Sequence, residues 1–250
     1  MNAKRTLGIF LLFTVLMHNR LEAQTIDRQL GQLIMVAGYS NKGSAEIDRL
    51  ESLVRSGQIG GIIWMQGGPE RQRAAIARLQ SAAGPRPLMM AQDAEWGAAM
   101  RLDSLPRLPW PLTLGATSDT ALARRYGRAL ATESRMLGIH VNFSPVVDVN
   151  TNPRNPIIGQ RALGSDPRRV SLLANAQIRG MEQAGVMACV KHFPGHGDTE
   201  QDSHQTLPTV GRSRSELKRL DLAPFKATFN QGVGSVMVAH VNVPSLDASG

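Results

Sequence analysis

The sequence predicts an α/β protein built as a (β/α)8, TIM-like barrel, incomplete, with about six of the eight β/α units present. Two observations predict it. Short apolar runs alternate six times with helix-length amphipathic segments, and that alternation builds a parallel sheet with helices between its strands. Polar residues able to do chemistry then follow directly on the apolar runs, where barrel enzymes carry their sites. A doubly wound open sheet is the structural alternative, weakened by the lack of a Gly-x-Gly-x-x-Gly after the first strand. A composition of 42% apolar and 19% charged residues fits one packed globular domain.

The units run in order. Leu33 to Ala37 is a candidate first strand. Ser44 can cap a helix carrying Ile47, Leu50, Leu53 and Val54 on one face, closed by Gly57. Ile59 to Met65 is a second strand, and Glu70 to Ala83 a second helix ending at Gly84. Leu88 to Gln92 is a third strand that delivers Asp93. Ser118 then caps a long helix through Leu122, Tyr126, Leu130 and Leu137, stopped by Gly138. His140 to Val149 is a fourth strand, followed by an Asn/Pro-rich loop.

Asp166-Pro167 is an N-cap and first-turn pair. Its helix carries Val170, Leu173, Ile178 and Met181 and closes at Gly185. The fifth strand, Val186 to Val190, runs into Lys191. Ser213-Arg214-Ser215-Glu216 has capping-box form, and its helix breaks near Pro224. Ser235 to Ala239 is the sixth strand.

Residues 1–23 read as a secretory signal peptide. Lys4 and Arg5 precede an apolar run from Leu7 to Met17, and Leu21-Glu22-Ala23 before Gln24 is a cleavage site of small-residue type. The run is too short to span a bilayer. No cysteine lies near the cleavage point, so no stable membrane anchor is expected, and the product is expected to be periplasmic or extracellular. Without this segment 25 basic face 19 acidic side chains, a net charge of +6 against +8 for the whole chain. The arginines are scattered, and aromatic content of 4% offers few stacking platforms, so nucleic acid is not expected as a partner. The single cysteine, Cys189, sits in an apolar run and reads as a buried thiol.

The chemistry concentrates after the fifth strand, in Lys191-His192-Phe193-Pro194-Gly195-His196-Gly197-Asp198-Thr199-Glu200-Gln201-Asp202-Ser203-His204-Gln205-Thr206-Leu207-Pro208. Three of the six histidines fall here. Pro194, Gly195 and Gly197 forbid a helix and favour a bent loop. Asp202 lies two residues before His204, so its carboxylate can orient the imidazole for general acid–base work. A solvated polar loop is the bland alternative, made less attractive by so many titratable groups in eighteen residues. A metal site using His192, His196, Asp198 and His204 is the sharper rival, but the spacing follows no His-Glu-x-x-His or Cys-x-x-Cys pattern.

The run Lys-His-Phe-Pro-Gly-His-Gly-Asp-Thr, then Asp-Ser-His and Leu-Pro, resembles the signature of family 3 glycoside hydrolases, above all their β-N-acetylglucosaminidase (β-N-acetylhexosaminidase) branch. The resemblance implies that His204 and Asp202 form the acid/base dyad, and that Lys191 and His192 hold the bound sugar. It also implies a barrel. Two further motifs occur in the family's order. Asp93-Ala94-Glu95-Trp96-Gly97-Ala98-Ala99-Met100-Arg101 matches the family's Asp-x-Glu-Gly-Gly-x-x-x-Arg at Asp93, Glu95, Gly97 and Arg101, with Trp96 where a glycine is usual. Asp93 is thereby implied to bind sugar hydroxyls and Arg101 to help position the site. A helix cap is the bland alternative for Asp93 on its own. The stretch from Asp148 to Gly164 also resembles the family, and Arg161 matches a substrate-binding arginine. Asp148 reads as a supporting residue.

With the export signal, the resemblance implies an exported retaining glycosidase removing terminal β-linked N-acetylglucosamine from peptidoglycan fragments, an amino-sugar glycoside or muropeptide substrate, with no metal and no organic cofactor. Non-catalytic amino-sugar binding and metal-dependent hydrolysis are the alternatives. Retaining chemistry needs a nucleophilic carboxylate. In the family it is an Asp closing the seventh strand, and no matching segment occurs; Asp247 follows Pro244-Ser245 in a loop and is a poor substitute. The expectation is therefore an N-terminal part of a longer enzyme, inactive by itself.

Overall fold

The computed structural model describes residues 26–200 and 207–247. Six parallel strands lie side by side in chain order: β1 (Met35–Gly38), β2 (Gly61–Trp64), β3 (Met89–Gln92), β4 (Val141–Asn142), β5 (Met187–Phe193) and β6 (Ser235–Val238). Sequential parallel pairing, each step crossed by helix, is the topology of an incomplete (β/α)8 barrel. Registers run directly from Met35 opposite Gly61 to Gly61 opposite Met89, and Ala91 opposite Val141. Among the described residues β1 and β6 are the sheet edges.

Before β1 lies a short helix, α1 (Ile26–Gly31), which the sequence reading did not anticipate. The crossovers are α2 (Ser44–Ser56), α3 (Pro69–Ala83), α4 (Pro111–Thr117) with α5 (Thr120–Met136), α6 (Pro167–Gln183), and α7 (Arg214–Arg219) with α8 (Leu222–Gln231). Gly57 closes α2 in the left-handed conformation, as its lack of a Cβ permits. Asp166 caps α6 by accepting from Arg169 N, and Ser213 with Glu216 forms a complete capping box on α7.

Helix boundaries differ from the sequence reading in three places. Ser44 is the first helical residue of α2, and Gly43 precedes it without a side-chain cap. Ser118 does not cap α5; it ends the unanticipated α4 in a left-handed conformation. The cap of α5 is Asp119, whose carboxylate accepts from Ala121 N and Leu122 N. The α7–α8 break falls at Leu220–Asp221, leaving Pro224 in the first turn of α8, where its missing N–H costs no helical hydrogen bond.

The fourth strand is the larger correction. Regular pairing stops at Asn142, because Pro145 has no N–H to continue the ladder. The chain bulges and then rejoins β5: Cys189 N donates to Ser144 O, Lys191 N to Pro145 O and Val147 N to Lys191 O. The segment still ends beside β5, which sets Asp148 against His192.

Among the described residues apolar burial forms two large cores, a small one on the inner face, and a fourth at Val146, Ile158 and Ala162. Leu50, Ile62, Trp64, Leu79 and Met90 join α2 and α3 to the first three strands. Tyr126, Leu130, Leu173, Ile178, Val190 and Phe225 join α5, α6 and α8 to β5. Ala91, Val141 and Cys189 line the inner face. Cys189 is buried as expected, and burial pushes its thiol pKa up.

The α5–α6 pair depends on two glycines. A Cβ at Gly127 would lie 2.1 Å from Gln177 O, and one at Gly180 would lie 2.1 Å from Arg124 O. In an unencumbered helix Gly→Ala stabilises by about 0.5–1 kcal/mol. Here overpacking, worth about 1–3 kcal/mol, outweighs that gain. Gly127→Ala should therefore lower the melting temperature; an increase would show that the helices do not approach this closely.

Candidate active site

The site grows from the C-terminal ends of β3, β4 and β5. Beyond β3 the backbone stays extended, so Asp93 and Glu95, two residues apart, face the same side. Ala94 between them is held by the side-chain amide of Asn142 at the end of β4, which accepts from Ala94 N and donates to Ala94 O, both at 3.2 Å. A buried strand-end amide thus sets the direction of both carboxylates.

Lys191, 2% exposed at the end of β5, lies between them. Its Nζ donates to Asp93 Oδ1 at 2.8 Å and lies 2.7 Å from Glu95 Oε1. Arg101 Nη2 donates to Asp93 Oδ2 at 2.7 Å. Arg161, on the short 3-10 turn Gly159–Arg161, grips Glu95 with both arms: Nε to Oε2 at 2.9 Å and Nη2 to Oε1 at 2.8 Å. Each carboxylate therefore has two cationic partners, and burial in such a place is tolerable only with partners in position. Burial raises the pKa of Glu95, but the charge of Lys191 and the hydrogen bonds from Arg161 outweigh it and hold the group at about 2. Asp93 is lowered for the same balance of reasons, with Lys191 and Arg101 opposing burial.

His192 faces the same centre. Its Nδ1 lies 2.7 Å from Asp148 Oδ2, and Asp148 is fully buried. Asp148 also accepts from His192 N and, at 2.7 Å, from His196 N. Burial raises its pKa, while His192 and these hydrogen bonds more than compensate and keep it ionised. An ionised carboxylate only accepts, so His192 Nδ1 carries the proton. Nε2 is left as the ring acceptor, 3.3 Å from Arg161 Nη2. The bond between Lys191 and His192 is cis.

The loop past β5 is pinned to the Asn/Pro-rich segment. Asn155 Nδ2 donates to His196 O at 2.7 Å, and His196 Nδ1 meets Thr199 Oγ1. Thr151 Oγ1 donates to Asp198 Oδ1, and Asn152 Nδ2 to Asp198 O. Arg212 Nε lies 2.9 Å from Asp221 Oδ2, and its Nη2 lies 3.1 Å from Asp198 Oδ1. Among the described residues Asp221 is buried without an aligned hydrogen bond, and that burial raises its pKa to about 6 against the pull of Arg212.

The structure thus brings together Asp93, Arg101, Arg161, Lys191 and His192. Asp202 and His204 lie outside the described residues. Among the described residues no three His, Cys, Asp or Glu side chains are grouped as metal ligands. Sequence reasoning gave Glu95 no role, although it joins Lys191 to Arg161. Its spacing from Asp93, two residues along an extended stretch, was the available signal. The function of Asp148 as the holder of His192 had no signal in the sequence, because the contact spans 44 residues.

Six parallel strands in chain order, with a charge-matched polar site at their C-terminal ends, place that site where (β/α) barrels carry theirs. The profile described as "Glycosyl hydrolase family 3 N terminal domain" matches residues 25–249, and the chain belongs to that family. A β-hexosaminidase of Neisseria meningitidis serogroup C is 42% identical over 168 residues, 64% of this chain and 46% of that protein. Beta-hexosaminidase A of Pseudoalteromonas piscicida is 40% identical over 169 residues, 65% of this chain and 28% of its own length. The chain thus aligns with less than half the length of these curated relatives. Among solved structures, a family 3 β-N-acetylglucosaminidase from Paenibacillus sp. superposes with a TM-score of 0.84 at 39% identity, covering 90% of this chain and 44% of that one. NagZ from Neisseria gonorrhoeae, in complex with N-trifluoroacetyl-D-glucosamine, gives 0.76 at 34% identity, covering 86% of this chain and 65% of that one.

Replacing Asp148 by Asn swaps an acceptor for a donor facing three N–H groups. The variant should lose about 1–3 kcal/mol of stability, the usual cost of an unsatisfied buried group. Calorimetric melting measures it; a wild-type melting temperature would mean that Asp148 does not hold His192.

Proposed function

We propose that this chain supplies the sugar-binding barrel of an exported retaining β-N-acetylhexosaminidase. It would remove terminal β-linked N-acetylglucosamine, with peptidoglycan fragments as the substrate class. One observation carries the reading: Asp93, Arg101, Lys191, Arg161 and His192 converge at the ends of β3 and β5 as a charge-matched set of donors and acceptors. Such a set suits a neutral, hydroxyl- and amide-rich ring, because its groups hold one another in place while offering spare hydrogen-bonding capacity. Family membership and the relatives named above support the same reaction.

In this reading Asp93 accepts from sugar hydroxyls, and Lys191 and Arg161 donate to oxygens of the same ring. His192 Nε2 accepts from a further hydroxyl. Arg101 fixes Asp93. His204 protonates the leaving oxygen, and Asp202 orients its imidazole. A carboxylate nucleophile forms the glycosyl-enzyme that water then resolves.

In the full-length protein, His204→Ala should cut turnover of alkyl N-acetylglucosaminides by about 10²- to 10⁴-fold. The loss should shrink for aryl glycosides whose leaving group needs no proton. Equal losses for both would remove the acid role. Export is tested by sequencing the N-terminus of protein recovered outside the cytoplasm. Cleavage near Ala23 is expected, and an intact Met1 would argue against it.

A further inference from the structure

Asp202 and His204 belong to a segment that leaves at Asp198 and returns at Arg212. Its outgoing limb is held by packing. Gly195 has a φ of +134°, and a Cβ on it would lie 2.7 Å from the Cβ of Asp221, the residue before α8. Gly197 sits as tightly on the loop after β4, where a Cβ would lie 2.0 Å from Val149 O. The returning limb is held elsewhere. Val210 N donates to Asn242 O and Asn242 N to Pro208 O, both at 2.8 Å, which ties that limb to the segment after β6.

Arg212 joins one limb to the other. Its Nη2 lies 3.1 Å from Asp198 Oδ1 and also donates to Thr151 Oγ1, which donates in turn to Asp198. Its Nε faces the carboxylate of Asp221, which is 1% exposed. One guanidinium therefore bridges the loop after β4, the loop after β5 and the residue before α8. The arginine side chain is itself only 11% exposed, so salt screens these contacts far less than those of a surface pair. A planar fork can meet three acceptors at once, and a lysine ammonium on a flexible stem lacks that shape. Among the described residues Arg212 makes no hydrogen bond or ion pair with Asp93, Glu95 or His192, so it stands apart from the sugar-binding set.

We infer that Arg212 is a positioning residue for the acid/base step: by binding Asp198 it fixes the distance between the two ends of the segment that carries Asp202 and His204. This rests on the glycosidase reading above. Asp221 anchors the arrangement, because it faces Arg212 on one limb and packs on Gly195 of the other. Arg212 thus acts through His204, on proton delivery to the leaving oxygen, and not on the sugar.

The test uses full-length protein and two substrates, methyl β-N-acetylglucosaminide and an aryl N-acetylglucosaminide whose leaving group needs no proton. Arg212→Met should lower kcat/KM for the methyl glycoside about 10- to 100-fold, a part of what a positioned acid is worth, and for the aryl glycoside about 3-fold or less. Inhibition by N-acetylglucosamine should stay within about 2-fold of wild type, as expected when ground-state binding is untouched. Arg212→Lys should recover only part of the loss. In a His204→Ala background Arg212→Met should cost nothing further, because residues that act as one unit are not additive. Should Arg212→Met melt below the assay temperature, Asp198→Ala, at a position one-third exposed, carries the same comparison. Equal losses on both glycosides, weakened inhibition by N-acetylglucosamine in step with the lost kcat/KM, or full additivity with His204→Ala would overturn the inference. Its failure therefore shows in variants of an active enzyme. Failure of the glycosidase reading shows in the wild type, as no turnover of either glycoside, and takes the inference with it.

Discussion

An ammonium group that is 2% exposed survives only where anions are already in place, since its desolvation costs several kcal/mol. Lys191 meets that condition through Asp93 at 2.8 Å and Glu95 at 2.7 Å. The two carboxylates come from β3 and the lysine from β5, so the pairing crosses β4 and draws three strand ends to one centre. Two like charges so close to each other are stable only because Lys191 lies between them and Arg101 and Arg161 neutralise their far sides. Removing Arg101 or Arg161 would leave Asp93 or Glu95 with Lys191 as its one cationic partner, and removing Lys191 would halve the compensation of both. The site is therefore a single electrostatic unit, and the low pKa of Glu95 expresses its cohesion.

Around that unit the fold provides direction rather than charge. Asn142 holds Ala94 and so sends Asp93 and Glu95 inward. Asp148 holds His192 by ring and backbone together. Both holders are buried polar groups with satisfied hydrogen bonds, the arrangement that gives side chains a single orientation. The irregular fourth strand follows from the same need. A continuous ladder through residues 143–149 would have kept Asp148 in a strand; the break at Pro145 returns the chain beside Lys191 instead.

Helix packing serves the site at one remove. Close approach of α5 to α6 at Gly127 and Gly180, and of α4 to the 159–163 turn at Gly115, sets the distance between the β3 loop and Arg161. A bulkier residue at any of the three would shift one side of the Glu95–Arg161 pair against the other. These glycines thus connect core packing to charge geometry.

The sequence by itself determined the order of strands and helices, the caps at Asp166 and Ser213, and the residues that would meet: Asp93, Arg101, Arg161, Lys191 and His192. Periodicity, cap chemistry and motif spacing are local properties, and they survive translation into one dimension. It could not place Asp119 over Ser118 as the cap, because both are good capping residues and the unexpected α4 consumed Ser118. It could not shorten the fourth strand, because the apolar run continues through Pro145 to Val149. Only the tertiary structure made Glu95 the joint between Lys191 and Arg161, gave Asp148 the task of holding His192, and set Arg212 against Asp198. The physical reason is the same in each case. These contacts join residues 14 to 96 positions apart, and their energies depend on burial and distance, which exist only once the strands have closed side by side.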